Sequence, residues 1–194
     1  IPDVLKGCEA GVIAHLLFIF NLSLKTSVFP DCWKCTNSPI HKKGDMHSIR
    51  NYRPISLLSS PAKVFEIILH KLIYNHCSGF LIDQQHGFRR GCSTTTNLLA
   101  FSSYVHKSLE VSNPVDVVYT DFEKAFDRVN HEILFCKVGN FGFSSGLLRF
   151  FADYLRGRRQ FVRYDSFDSY EYVTCSGVPP GSNLGPLLFL LFMN

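Results

Sequence analysis

The chain has 194 residues, 46% hydrophobic and 19% charged, which excludes a disordered polypeptide and allows one large domain or two small lobes. A formal net charge of +4 and a pI near 8.7 exclude an acidic protein, and the positive charge is clustered. Residues 34–53 hold Lys34, Lys42, Lys43, Arg50 and Arg53 against Asp45, and residues 149–163 hold Arg149, Arg156, Arg158, Arg159 and Arg163 against Asp153, so each segment nets +4 and the remainder nets −4. Such patches suit a polyanionic partner, or are two solvated basic loops.

Seven scattered cysteines form no even framework and fit a reducing compartment better than a disulfide scaffold. Cys32-x-x-Cys35 with His41 and His47 lacks the spacing of a standard zinc finger, so ordinary thiols are preferred to a zinc site. The apolar run 12–24 contains His15 and Asn21 and is too short to cross a bilayer. The chain begins at Ile1 and closes on PLLFLLFMN, which reads as a piece of a longer polypeptide.

In chain order, Val12, Ile13, Leu16, Leu17, Phe20 and Leu24 predict a helix over 9–25. Thr36–Lys43 reads as a short strand entering a basic turn, Lys42-Lys43-Gly44-Asp45. Asn51–Ser60 is expected to be extended, because Pro54 disfavours helix at Arg53. Pro61 suits a helix start, AKVFEIILHKLIYNHC has helical period, and Gly79 suits its stop. QHGFRRGCSTT is a loop, with Ser93 or Thr94 capping a helix over TNLLAFSSYVHKSL.

After the Asn113-Pro114 turn, Val115–Phe122 predicts a strand that delivers Asp121 to its end. Glu123–Val138 predicts an amphipathic helix with Phe126, Val129, Ile133, Leu134 and Val138 on one side. A helix over 147–156 follows. Gly157-Arg158-Arg159 reads as the tip of a hairpin, with strands Gln160–Tyr164 and Glu171–Cys175. A Gly/Pro loop, Ser176–Gly185, leads into an apolar helix near Pro186. Mixed strands and helices define an α+β class.

Three segments offer chemistry. Asp121 at a strand end, followed by Glu123 and Asp127, suits a hard divalent cation, provided another carboxylate joins it. Thr120-Asp121-Phe122-Glu123 is equally a helix capping box. HKKGD followed by NYRPI places Lys and Arg where both could face a triphosphate, or forms a solvated hairpin tip. SGVPPGSNLGPLL brings backbone close to a flat ligand, or is a plain surface loop.

The ordered blocks PIHKKGD, NYRPISLLSSPAKVFE, QHGFRRGCST, YTDFEKAFDRVNHEIL, YLRGRRQFV and SGVPPGSNLGPLLF resemble the reverse transcriptase domain of non-LTR (LINE-type, jockey-like) retrotransposons across nearly the whole chain. The resemblance implies a right-hand polymerase fold, truncated before the second catalytic aspartate motif. Residues 1–112 would be an N-terminal extension and fingers; 113–194 would be a partial palm interleaved with fingers elements. Asp121 matches the first palm aspartate, which with the Phe122 carbonyl would ligate Mg2+ (or Mn2+). Phe126 matches the aromatic that screens the sugar 2′ position. Lys43 or Lys42, with Arg53 and Phe122, would hold the incoming deoxynucleoside triphosphate. Gln85, Gly87, Phe88 and Arg89 match a loop near the template. Gly177, Pro179, Gly181 and Ser182 match the loop under the primer–template.

Asp127 is typical of the motif, but its charge suits a helix start rather than a ligand. Pro180 and Asn183 depart from the family, which commonly has Gln and a small apolar residue there. The paired aspartates that complete the family's metal site are not in the sequence, so the 194 residues alone are expected to be inactive. The implied partners are an RNA template, a DNA primer and deoxynucleoside triphosphates, with no membrane and no obligate protein partner. The implied location is intracellular, in nucleus and cytoplasm as a ribonucleoprotein. The alternatives are a catalytically dead nucleic-acid-binding remnant or domesticated copy, and a group II intron-type maturase relative.

Overall fold

The computed structural model describes residues 10–34, 36–41, 43–48, 51–164 and 167–194. Helix α1 (Ala10–Thr26) ends where Ser27 turns left-handed at φ 59°. A 3-10 turn, Asp31–Trp33, then sends Phe29 and Trp33 into the core. Helix α2 (Ser60–Cys77) starts with Pro61 in its first turn, where a missing N–H costs nothing. Helix α3 (Thr94–Glu110) is capped by Ser93, which exchanges hydrogen bonds with Thr96 in a capping box. Helices α4 (His131–Gly139), α5 (Ser145–Leu155) and α6 (Leu184–Met193) follow.

The core is one cluster fed by α1, α2, α4, α5 and α6. Phe65 of α2 stacks on Phe20 of α1 at 4.6 Å, and Phe29 meets Tyr154 of α5 edge-on at 5.0 Å. Burying each such ring contributes roughly 1.5–3 kcal/mol. Helix α6 buries Leu184, Leu187, Leu188, Leu190 and Leu191 on nearly all sides, as its unbroken apolar sequence requires. It packs against α2 and α4, which contributes Leu134 and Val138.

Strands β1 (Thr36–His41) and β2 (Tyr52–Leu57) form an antiparallel hairpin in which Ile40 faces Arg53 and His41 faces Tyr52. Two shorter pairs follow. β3 (Arg159–Gln160) joins β6 (Tyr172–Val173), and β4 (Arg163–Tyr164) joins β5 (Phe167–Asp168). No helix among the described residues is long and apolar enough to cross a membrane.

Three expectations are corrected. Val115–Phe122 forms no strand ladder; no described strand lies beside it, and Val118 and Tyr119 are 85% and 84% exposed. A strand needs a hydrogen-bonding neighbour, which β-branched sequence cannot supply.

Glu123–Val138 is not one helix. Lys124 is left-handed at φ 53°, its carbonyl accepts from both Asp127 and Arg128 N–H, and the helix begins only at Asn130, whose side chain caps Ile133 N–H. Thr120–Glu123 is therefore not a capping box, and Glu123 instead pairs with Arg128 at 2.9 Å.

Gly157-Arg158-Arg159 is the turn from α5 into β3 rather than a hairpin tip, and β4 pairs with β5 further along the chain. Arg158 is 1% exposed. Its guanidinium stands 5.0 Å over the Tyr154 ring and donates to the Tyr154 carbonyl at 3.1 Å.

The basic segments change with these findings. Arg156 pairs with Glu132, and Arg163 makes a two-pronged bond to Asp168 at 2.7 and 2.8 Å. Arg159 is 3.7 Å from Glu171. Lys34 lies between Asp31 at 2.8 Å and Asp153 at 3.6 Å. Much of the second patch is thus matched by local acids, whereas Lys43 and Arg53 are exposed. Cys32 is exposed, Cys35 lies outside the described residues, and no group of ligating side chains supports a zinc site among the described residues.

Candidate active site

The loop from Ser176 to Asn183 is the most heavily fastened irregular segment near the candidate residues. At its start, Ser176 Oγ donates to the Asp127 carbonyl at 2.9 Å and Gly177 N–H to the Val129 carbonyl at 2.8 Å. Val178 N–H donates to the Phe126 carbonyl at 2.9 Å. His131 Nε2 lies 2.7 Å from the Gly177 carbonyl; an oxygen acceptor there requires that nitrogen to carry the proton. Midway, Ser56 N–H of β2 donates to the Pro180 carbonyl at 2.7 Å. The loop therefore ties the turn after Asp121 to the β1–β2 hairpin.

Two glycines make this closeness possible. Gly177 has φ +88°, and a Cβ there would sit 2.8 Å from the carbonyl oxygens of Phe126 and Asp127. Gly181 has φ +94°, and a Cβ there would sit 2.7 Å from Ile55 Cγ2 and 3.0 Å from the Ser56 carbonyl. Both positions combine a left-handed backbone with contacts that a side chain would violate.

The far end of the loop rests on Glu66 of α2. Its Oε2 accepts from Asn183 N–H at 2.7 Å and Leu184 N–H at 3.2 Å. Its Oε1 accepts from the Tyr154 hydroxyl at 2.8 Å. Burial pushes the Glu66 carboxyl above its ordinary range, against the pull of those hydrogen bonds and of the Arg158 charge. Burial, with the neighbouring Glu66 charge, also pushes the Tyr154 hydroxyl well above its usual range.

The sequence-predicted residues divide into three groups. Phe126, Phe88 and Phe189 come together: Phe126 stacks on Phe189 at 4.8 Å and meets Phe88 edge-on at 5.7 Å. Phe88 holds a left-handed backbone at φ 59°. Gly177, Pro179, Gly181 and Ser182 all lie in the fastened loop. Ser182 points inward: its buried hydroxyl donates to the Pro179 carbonyl and accepts from Gly185 N–H, each at 2.8 Å. Pro180 contributes its carbonyl to Ser56, a contact that does not depend on its side chain.

A second group is engaged within its own loop. Gln85 Nε2 reaches the adjacent Gly87 carbonyl at 3.5 Å. Arg89 donates to the Ile82 carbonyl at 2.8 Å and pairs with Asp83 at 2.9 Å.

The third group stands exposed: Lys43, Arg53, Asp121 and Phe122. Lys42 lies outside the described residues. Asp121 and the following carbonyl have the right hard-oxygen chemistry for Mg2+ or Mn2+. Among the described residues, however, no three ligating side chains gather into a metal cage.

Sequence reasoning missed Glu66, Tyr154, Arg158, His131 and Ser56. Glu66 had a signal: it lies on the same helical face as Ala62, Leu69 and Ile73, so an acid interrupts a buried stripe. The others carried none.

Residues 40–194 match the family model described as "Reverse transcriptase (RNA-dependent DNA polymerase)", and the chain belongs to that family. It is 35% identical, over 97% of its length, to a Drosophila melanogaster protein named "Probable RNA-directed DNA polymerase from transposon BS". It is 32% identical, over 93%, to the "RNA-directed DNA polymerase from mobile element jockey" of the same species. A "Retrovirus-related Pol polyprotein from type-1 retrotransposable element R2" from Popillia japonica is 27% identical over 77% of the chain. The chain spans 21%, 20% and 21% of these relatives. The resemblance read from the sequence blocks is borne out.

Proposed function

We propose that the protein containing this chain is an RNA-templated DNA polymerase of a non-LTR retrotransposon. A primer 3′-hydroxyl attacks the α-phosphate of a deoxynucleoside triphosphate, and pyrophosphate leaves. Residues up to 112 act as N-terminal extension and fingers, and 113–194 as part of a palm. Asp121, with the Phe122 carbonyl, would hold divalent metal, whose chemistry when bound is Lewis-acid stabilisation of the attacking and leaving oxygens.

Lys43 and Arg53, exposed at the β1–β2 hairpin, bind and orient the triphosphate, with Lys42 as the neighbouring cation. Phe126, held against Phe189 and Phe88, screens the sugar 2′ position. The Gly177–Ser182 loop offers a backbone surface for the primer–template, and the Gln85–Arg89 loop faces the template. Contact to the duplex is mainly through phosphate and sugar. Free cysteines suit an intracellular ribonucleoprotein.

The observation that carries the proposal is the family match over residues 40–194, which spans both the Asp121 turn and the loop hydrogen-bonded to it. Primer extension by the whole polymerase tests it. Asp121→Ala should lower synthesis at least about 10²-fold, equivalent to about 2.7 kcal/mol of transition-state stabilisation, while leaving binding of an RNA–DNA duplex in place. Persisting synthesis would remove Asp121 from the metal site. Binding without extension by the unsubstituted protein would instead identify a catalytically dead remnant.

A further inference from the structure

Glu66 lies 19 residues before the Gln85–Arg89 loop, the first assigned above to template or primer, on a helix with no catalytic role in the proposed function. It is nonetheless fully buried, at 0% exposure. A buried carboxylate is costly unless donors surround it. Here the donors are the N–H groups of Asn183 and of Leu184, where α6 begins, and the Tyr154 hydroxyl. Asn183 occupies the N-cap of α6 without capping it by its side chain, so Glu66 serves as a cap supplied from another helix.

The position of this cap along the loop matters more than its strength. Asn183 follows directly on Gly181 and Ser182, and Gly181 is pressed against Ile55 and Ser56 of β2. The Pro180 carbonyl holds Ser56, and the Gly177 and Val178 N–H groups hold the turn that follows Asp121. The loop is thus a span fastened at both ends and in the middle, and one end is Glu66.

We propose that Glu66 is a positioning residue: its carboxylate sets the tension of the Ser176–Asn183 loop and thereby holds the primer–template surface in register with the Asp121 turn. This rests on the polymerase reading for its functional part, but its structural part does not. Gln at this site keeps an acceptor oxygen for the two N–H groups, and its amide can face the hydroxyl oxygen of Tyr154. Asp keeps the charge but is one methylene short of the loop.

Amide hydrogen exchange on the 194-residue chain tests the structural part without any activity. Glu66→Asp should speed exchange about ten-fold at Asn183 and Leu184, and by a measurable factor at Ser56, Gly177 and Val178, with the middle of α2 unchanged. Glu66→Gln should stay within about two-fold of the unsubstituted chain. Acceleration confined to Asn183 and Leu184 would show a simple helix cap and overturn the proposal. So would uniform acceleration, which would mark a residue of general stability, or no acceleration at all.

In the whole polymerase, Glu66→Asp should raise KM for primer–template more than it lowers kcat, and Glu66→Gln should restore it. A fall in kcat alone would overturn the positioning role. Failure of the polymerase reading would appear separately, as no extension by the unsubstituted protein.

Discussion

The Ser176–Asn183 loop and the Val115–Phe122 segment bear the two most characteristic blocks of this chain, and they are held in opposite ways. The loop has little regular structure yet is bonded to β2, to the turn at 126–129 and to α2. The segment has the β-branched sequence of a strand yet forms no ladder, and its Tyr119 meets the Phe101 ring of α3 edge-on at 6.4 Å. Regularity and rigidity are therefore separate properties. A segment is fixed by where its backbone groups and side chains find partners, not by its propensity.

The difference bears on function. A surface for primer–template must keep its shape before a ligand arrives, since ordering it on binding would cost affinity. As the proposed primer–template surface, the loop meets that demand with contacts inside the chain. Asp121 sits on the exposed segment, where no described side chain completes a metal cage.

The largest effect should come from forcing a side chain into the fastened loop. Gly177→Ala combines a left-handed backbone with a Cβ 2.8 Å from two carbonyl oxygens. It should lower unfolding stability by about 2–4 kcal/mol, read from urea midpoints. An unchanged midpoint would mean that the loop is looser than its hydrogen bonds suggest.

Phe126→Val tests the junction between the two regions. With the ring gone from between Phe88 and Phe189, ribonucleotide incorporation by the whole polymerase should rise about ten-fold or more relative to deoxynucleotide, measured by paired single-nucleotide extensions. Equal discrimination would remove Phe126 from the sugar position.

A smaller effect is expected from acid. The Glu66 carboxyl is raised above its ordinary value of 4.5. The folded chain then binds its proton more tightly than the unfolded chain does. Its contribution to stability is complete below about 4.5 and is lost as pH rises through the raised folded value. Glu66→Gln, which cannot ionise, should lack that part of the slope in urea midpoints measured across this window. Identical slopes would show that the burial of Glu66 is offset by its donors.

Smallest of all should be Tyr119→Ser. The side chain is 84% exposed, so stability should shift by no more than about 0.5 kcal/mol. A loss above about 1 kcal/mol would show that the segment is held as firmly as the loop, and the contrast between them would fail.

The helices were legible because apolar period and caps are local. The spacing over 9–25 became α1, Pro61 opened α2, and Ser93 capped α3. The strand at Val115 and the helix at Glu123 were misread for complementary reasons. One lacked a described neighbour to pair with, and the other was interrupted by left-handed Lys124, whose carbonyl accepts from Asp127 and Arg128 N–H. Arg158 read as part of a basic surface because charge counts carry no burial, and α5 turned it inward over Tyr154.

Sequence by itself determined the family, the order of the chemical blocks and the identity of Asp121, Phe126 and the loop glycines, because residue types and their spacing are properties of the chain alone. Only tertiary structure decided which backbone groups would face one another across distant segments. That is why the Glu66 clasp on Asn183, the Ser56 contact with Pro180 and the inward turn of Ser182 could not be read beforehand. Each joins residues whose proximity is set by core packing, and no local rule of propensity or period encodes such a meeting.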